Sequence, residues 1–145
     1  MVEKIEIYKH IYQDSNMSIS SLKDLKNSLK NKDNKIKDYI DELIVDFKEY
    51  QDFSKRILKK NNINPEEESF FAKMMASMGI KKEVNSDNSD SHVAEVRIQG
   101  IVMGGINMEK KISVYHDKLD KKDIKYANSF LEFEKNSIEK LKEYL

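Results

Sequence analysis

SHVAEVRIQGIVMGGINMEKKISVYHD, residues 91–117, decides how this chain folds. Its apolar residues recur at helical spacing, yet it holds three of the chain's four glycines: Gly100, Gly104 and Gly105. Each glycine costs a helix roughly 1 kcal/mol relative to alanine. Three within six residues are tolerated where a neighbouring backbone must come close, so the stretch reads as a helix built for tight packing. A bend at Gly104–Gly105 is the alternative. Neither reading is a reaction.

Working outward, the rest of the chain also follows helical periods. Upstream, Tyr8, Tyr12, Ile19, Leu22 and Leu29 form one stripe, with Ile5, Ile11 and Leu25 beside it. The polar run Asn31–Asn34 interrupts it. Ile36, Tyr39, Ile40, Leu43, Phe47, Tyr50, Phe53 and Ile57 form the next stripe, which lysines and asparagines close near Lys60. NNINPEEE (61–68) then announces another helix. Asn64 suits its cap, Pro65 its first position, and three glutamates its dipole. This short helix carries Phe70, Phe71, Met74, Met75 and Met78 and ends at Gly79. EVNSDNSD (83–90) reads as a polar loop. The glycine helix starts near Ser91 and runs to about His116. After a charged turn at 117–122, Ile124, Ala127, Leu131, Ile138, Leu141 and Leu145 mark the last helix.

The expected architecture is all-α: a single domain over residues 1–145, an antiparallel four-helix bundle with one short extra helix between the second and third long ones. The small-residue run NMSISS (16–21) is the candidate face for the glycines. No strand and no internal repeat is evident. The middle connection permits either an up-down-up-down path or a crossover.

Composition narrows the function classes. There are 26 basic and 26 acidic residues, interspersed, so no electrostatic footprint for nucleic acid or an anionic membrane emerges. Cysteine is absent, which removes disulfides, thiolate metal sites and cysteine nucleophiles. MVEKIEIYKH breaks its apolar runs with charges, unlike a signal peptide, and no apolar run approaches a membrane span. A cytoplasmic location is expected.

Three segments carry a resemblance: SHVAEVRIQGIVMGGINM (91–108), NMSISSL (16–22) and EFEKNSIEKLKEYL (132–145). With them the chain resembles the ferritin-like four-helix-bundle group and, more narrowly, is similar to small uncharacterised bacterial proteins of that shape. The resemblance implies a fold rather than an activity. Ferritin-like di-iron sites draw Glu from two helices and Glu-x-x-His from two others. Here His10, His92 and His116 follow Ile7, Ser89 and Ser113 at that spacing, so the motif is missing.

A reduced carboxylate site is the remaining metal candidate. Glu134 occupies the inward stripe between Leu131 and Ile138, and Asp46 lies at an edge of the second stripe. Glu95 and Gln99 share a face, with His92 one turn before. Such oxygen donors suit iron, manganese or magnesium. The plainer reading pairs Glu134 with Arg97, a lysine or a tyrosine hydroxyl, since an inward charge is costly alone. His10 reads as a surface partner of Glu6 or Asp14, and the tyrosines as boundary residues. The residues Phe70, Phe71, Met74, Met75 and Met78 are a candidate partner surface, because methionines adapt to varied apolar partners. No catalytic constellation is found. The expected function is a non-enzymatic bundle without cofactor, acting through a protein partner or as a homodimer; the alternative is a degenerate ferritin-like protein binding iron or manganese.

Overall fold

The computed structural model describes residues 1–65 and 89–145. Among these residues the chain forms four helices and no strand: α1 (Val2–Ser28), α2 (Lys37–Lys60), α3 (Asp90–Tyr115) and α4 (Lys121–Lys142), with a 3-10 turn (His116–Lys118) between the last two. The expected short helix, and with it Phe70, Phe71, Met74, Met75 and Met78, lies outside the described residues.

The ends of the helices have local causes. Between α1 and α2 the chain exposes Asn31, Lys32 and Asp33 while burying Leu29 and Ile36 completely, so the apolar residues on either side anchor the turn. Lys37 Nζ donates to the Lys32 carbonyl at 2.8 Å. At the end of α2, Asn62 adopts φ 61°, the left-handed conformation asparagine tolerates better than most residues. The Ile63 N–H then reaches back to the Leu58 carbonyl at 2.9 Å and the Asn62 N–H to Lys59 at 3.0 Å. That is a Schellman closure, completed by the apolar contact between Ile63 and Leu58. Ser89 caps α3 by accepting from the His92 N–H at 3.3 Å. Asp90, in the first turn of α3, accepts from Asn34 Nδ2 at 2.8 Å and from the Lys35 N–H at 3.0 Å, which ties the start of α3 to the α1–α2 turn.

Helix packing is consistent with a bundle. The most extensive contacts join α1 to α2 and α3 to α4, and α1 also touches both α3 and α4. The main core collects Ile7, Ile11, Leu22, Leu43, Phe47, Val93, Met108, Phe130 and Leu141, each fully buried. Phe47 stands edge-on to Phe133 at 4.9 Å between centroids and to Phe130 at 6.4 Å, the geometry aromatic quadrupoles favour. A satellite cluster gathers Tyr8, Tyr12 and Leu58. Among the described residues, no helix is long and apolar enough to cross a membrane.

Three expectations need revision. Tyr8, Tyr12 and Tyr39 are core residues rather than boundary residues. His10 is buried, not a surface partner, because the polar row it begins on α1 faces the neighbouring helices. The glycines also differ among themselves: Gly104 is buried and Gly100 half-buried, but a Cβ at Gly105 would meet nothing within 4 Å. Close packing therefore does not require glycine at 105.

Candidate functional site

The chemically unusual part of the molecule is a polar cluster sealed inside the bundle. On α1, His10, Asp14 and Ser18 succeed one another at four-residue steps and so share a face. α3 contributes Arg97 and α4 contributes Glu134. Asp14 is 6%, Arg97 5% and Glu134 2% exposed. Two carboxyls and one guanidinium are thus removed from water together, and their charges decide one another's protonation.

The Asp14 and Glu134 carboxyls lie against each other in hydrogen-bonding contact. Without a proton between them, Asp14 Oδ2 and both Glu134 oxygens have no protein donor. Two ionised carboxylates would leave the cluster with an uncompensated negative charge in a low-dielectric interior. One shared proton removes that charge and supplies the missing donor. Burial pushes Glu134 well above the usual carboxylate range; the charge of Asp14 and the hydrogen bond to it act the same way, and Arg97 pulls back only in part. Burial also raises Asp14, opposed by hydrogen bonds from Glu134 and Ser18 and by Arg97. Glu134 is therefore the proton carrier and donates to an ionised Asp14. Ser18 Oγ donates to Asp14 Oδ1 at 3.3 Å, and Arg97 Nη1 donates to Ser21 Oγ at 2.9 Å. Arg97 Nε and Ser15 Oγ have no hydrogen-bond partner within the protein.

One turn before Asp14, the His10 imidazole is driven to about 3, chiefly by burial and then by the charge of Lys111. Its hydrogen bond to the backbone of Gly104 acts in the opposite direction. This contact sets His10 of α1 against α3, the helix that carries the glycines. A further buried carboxyl, Asp123 at the start of α4, accepts from the Tyr8 hydroxyl at 2.7 Å, with Lys4 Nζ 3.9 Å away.

The metal candidates scatter. Glu134 is inside with Asp14 and Arg97, whereas Asp46 is exposed on α2 beside Glu42 and Glu49, and Glu95 and Gln99 are exposed on α3. His92 is half-buried in the capped first turn of α3. Among the described residues, no group of three or more His, Asp or Glu is placed to hold a metal ion. The donor set does not fit a di-iron centre: among the described residues the cluster holds two carboxyls, Asp14 and Glu134, and Arg97 already stands beside them as a fixed cation.

Glu134 is recognisable in the sequence from its place on the inward stripe, and Arg97 is one of the partners expected for it. Asp14 was not singled out as inward, although Ile7, Ile11, Asp14, Ser18, Leu22 and Leu25 repeat at steps of three and four. That period was the available signal.

Outside the core, α2 and α4 border two surface grooves that share Tyr50 as a lining residue. One, about 570 Å³, is walled by Tyr39, Tyr50 and Phe133; the other, about 480 Å³, by Tyr50, Phe53 and Tyr126. Comparison of the chain with protein-family models, curated proteins and solved structures finds no match.

Proposed function

We propose that this protein is a non-enzymatic helical bundle that works through protein contacts, by binding a partner or by self-association. One observation carries the reading: the cluster with the most perturbed ionisable groups is sealed, with Glu134 only 2% exposed, while the aromatic grooves between α2 and α4 are open. A protein partner reaches the second kind of surface and not the first.

The finer architecture in this proposal is an antiparallel bundle with a ferritin-like crossover. Pairings across the helices support it. Asn16 meets Gln51 and Lys26 meets Asp41, so numbers fall on α2 as they rise on α1. Tyr39 meets Tyr144 and Phe53 meets Tyr126, the same inverse relation between α2 and α4. Ser21 meets Arg97 and His10 meets Gly104, inverse again for α1 and α3. By contrast Tyr8 meets Asp123 and Asp14 meets Glu134, rising together as a diagonal pair would. Leu58 near the end of α2 packs with Tyr8, whereas Asp90 is bonded to the opposite α1–α2 turn. The chain between α2 and α3 then joins opposite ends, which is the crossover of the ferritin-like connection.

The second reading, a degenerate carboxylate metal site, is favoured by the buried oxygens of Asp14 and Glu134 that lack protein donors. Metal content of protein purified without chelator, measured by mass spectrometry beside sedimentation velocity, separates the two. The contact reading expects no stoichiometric metal and an association state unchanged in Glu134→Gln. One or two metals per chain, lost in that variant, would overturn it.

A further inference from the structure

The grooves between α2 and α4 are aromatic at the floor and acidic at the rim. Glu42, Asp46, Glu49 and Asp52 project along the α2 side, and Glu132 adds a fifth carboxylate from α4. Among the described residues, the cations lining them are Arg56 and Lys140. Lys140 is engaged 3.1 Å from Glu143 and also feels the charge of Glu42, so it offsets the rim only in part. In a chain with 26 basic and 26 acidic residues, this excess of carboxylate is local.

Crowding of like charge is felt at Asp46. The Asp46 carboxyl is raised above its ordinary value by partial burial and by the neighbouring Glu49 and Glu42. Lys48 stands 3.9 Å from Asp52, a separation that earns little at an exposed site. The aromatic wall already accepts a cation from the chain itself: the Arg56 guanidinium lies 5.5 Å from the Phe53 ring centroid, within cation–π range.

Spacing adds shape to charge. The rim acids of α2 fall at positions 42, 46, 49 and 52, one for each helical turn. From Tyr39 to Arg56 the groove follows about 26 Å of helix, at 1.5 Å per residue, enough for some five turns of a second helix. The half-buried rings of Tyr50, Phe53 and Phe133 supply an apolar floor along it.

We propose that the α2–α4 groove docks a cationic amphipathic helix of a partner protein, its apolar face on Tyr50, Phe53 and Phe133 and its lysines or arginines along Glu42, Asp46 and Glu49. This rests on the reading of the protein as a contact module and names the surface and the partner's chemistry. Helix-in-groove docking of this kind combines apolar anchors with charge complementarity along the rim.

The test uses the full chain and an 18-residue fluorescent peptide of leucine and lysine patterned as an amphipathic helix. Two control peptides replace lysine by glutamate, or leucine by serine. Fluorescence anisotropy should show micromolar binding of the first peptide and at least tenfold weaker binding of both controls. Asp46→Lys with Glu49→Lys should weaken the first peptide at least tenfold, whereas Glu95→Lys with Glu109→Lys, the same charge change on α3, should change it less than twofold. Far-UV circular dichroism checks that both variants are folded. Equal weakening by the two double variants, or equal binding of the leucine and serine peptides, would overturn the proposal. Sedimentation velocity of the chain alone distinguishes its failure from failure of the contact reading. A dimer dissociated by Asp46→Lys with Glu49→Lys would make the occupant a second copy and overturn the partner helix while keeping the contact reading.

Discussion

Replacing Glu134 by Gln should change how stability depends on pH, and the structure fixes the sign and sets a ceiling on the size. The native pair keeps a proton that an unfolded glutamate, with an ordinary value of 4.5, releases as pH rises. A carboxyl raised on folding contributes stability that is fully present below its unfolded value and is lost as pH climbs toward the raised one. Each pH unit over which the two states differ by one proton is worth about 1.4 kcal/mol. Between pH 4.5 and 7 the loss therefore has a ceiling of about 3.4 kcal/mol. His10 works in the opposite direction: lowered from 6.5 to about 3, it costs stability as pH falls through that window. From 4.5 to 6.5 the slopes of Glu134 and His10 oppose each other, so the wild-type profile should be flatter there than either group alone would make it. A glutamine at 134 is neutral at every pH, and its amide donates to Asp14 as the protonated acid does. The variant should therefore lose about 2.7 kcal/mol on going from pH 6.5 to 4.5, the uncompensated histidine slope. Relative to wild type it should gain with rising pH up to the ceiling above. Urea unfolding followed by circular dichroism at constant ionic strength reads this as a midpoint shift on the order of 1–2 M. Parallel pH profiles for wild type and variant would refute the shared proton.

His10→Gln should give the complementary profile, with stability rising from pH 6.5 to 4.5 as the Glu134 slope acts alone; urea midpoints at those two pH values check it. Gly105→Ala should stabilise the chain by roughly 0.5–1 kcal/mol, because the added Cβ meets nothing and the unfolded chain loses freedom. Gly104→Leu should destabilise in the same thermal-melt comparison despite its better helix propensity, since Gly104 is buried with His10 against its backbone. Tyr8→Phe removes the 2.7 Å donor of buried Asp123 and should cost about 1–3 kcal/mol in chemical denaturation.

Much of the fold was legible because helices are local objects. The apolar period, the asparagines after Lys60 and Ser89 before the glycine helix depend on neighbours a few residues away, and the observed ends at Lys60, Asp90 and Tyr115 lie within a residue or so of the expected ones. The glycine pattern was read less well. Three glycines in one stretch look alike in sequence, yet only packing distinguishes buried Gly104 from Gly105, beside which there is open space. His10 was misread for a related reason: Glu6 and Asp14 are its neighbours at helical spacing, but whether that face meets solvent depends on where α3 and α4 lie.

The sequence by itself determined where the helices run and that Glu134 points inward, since a 3–4 period fixes which residues share a face. It did not determine what Glu134 meets there. Only the packing of α1, α3 and α4 decided that Asp14 and Arg97 are its company, and that one proton must be shared between two carboxyls. A helical period records the angle of a side chain about its own axis; which neighbouring helix stands at that angle is set by burial of all the apolar faces at once.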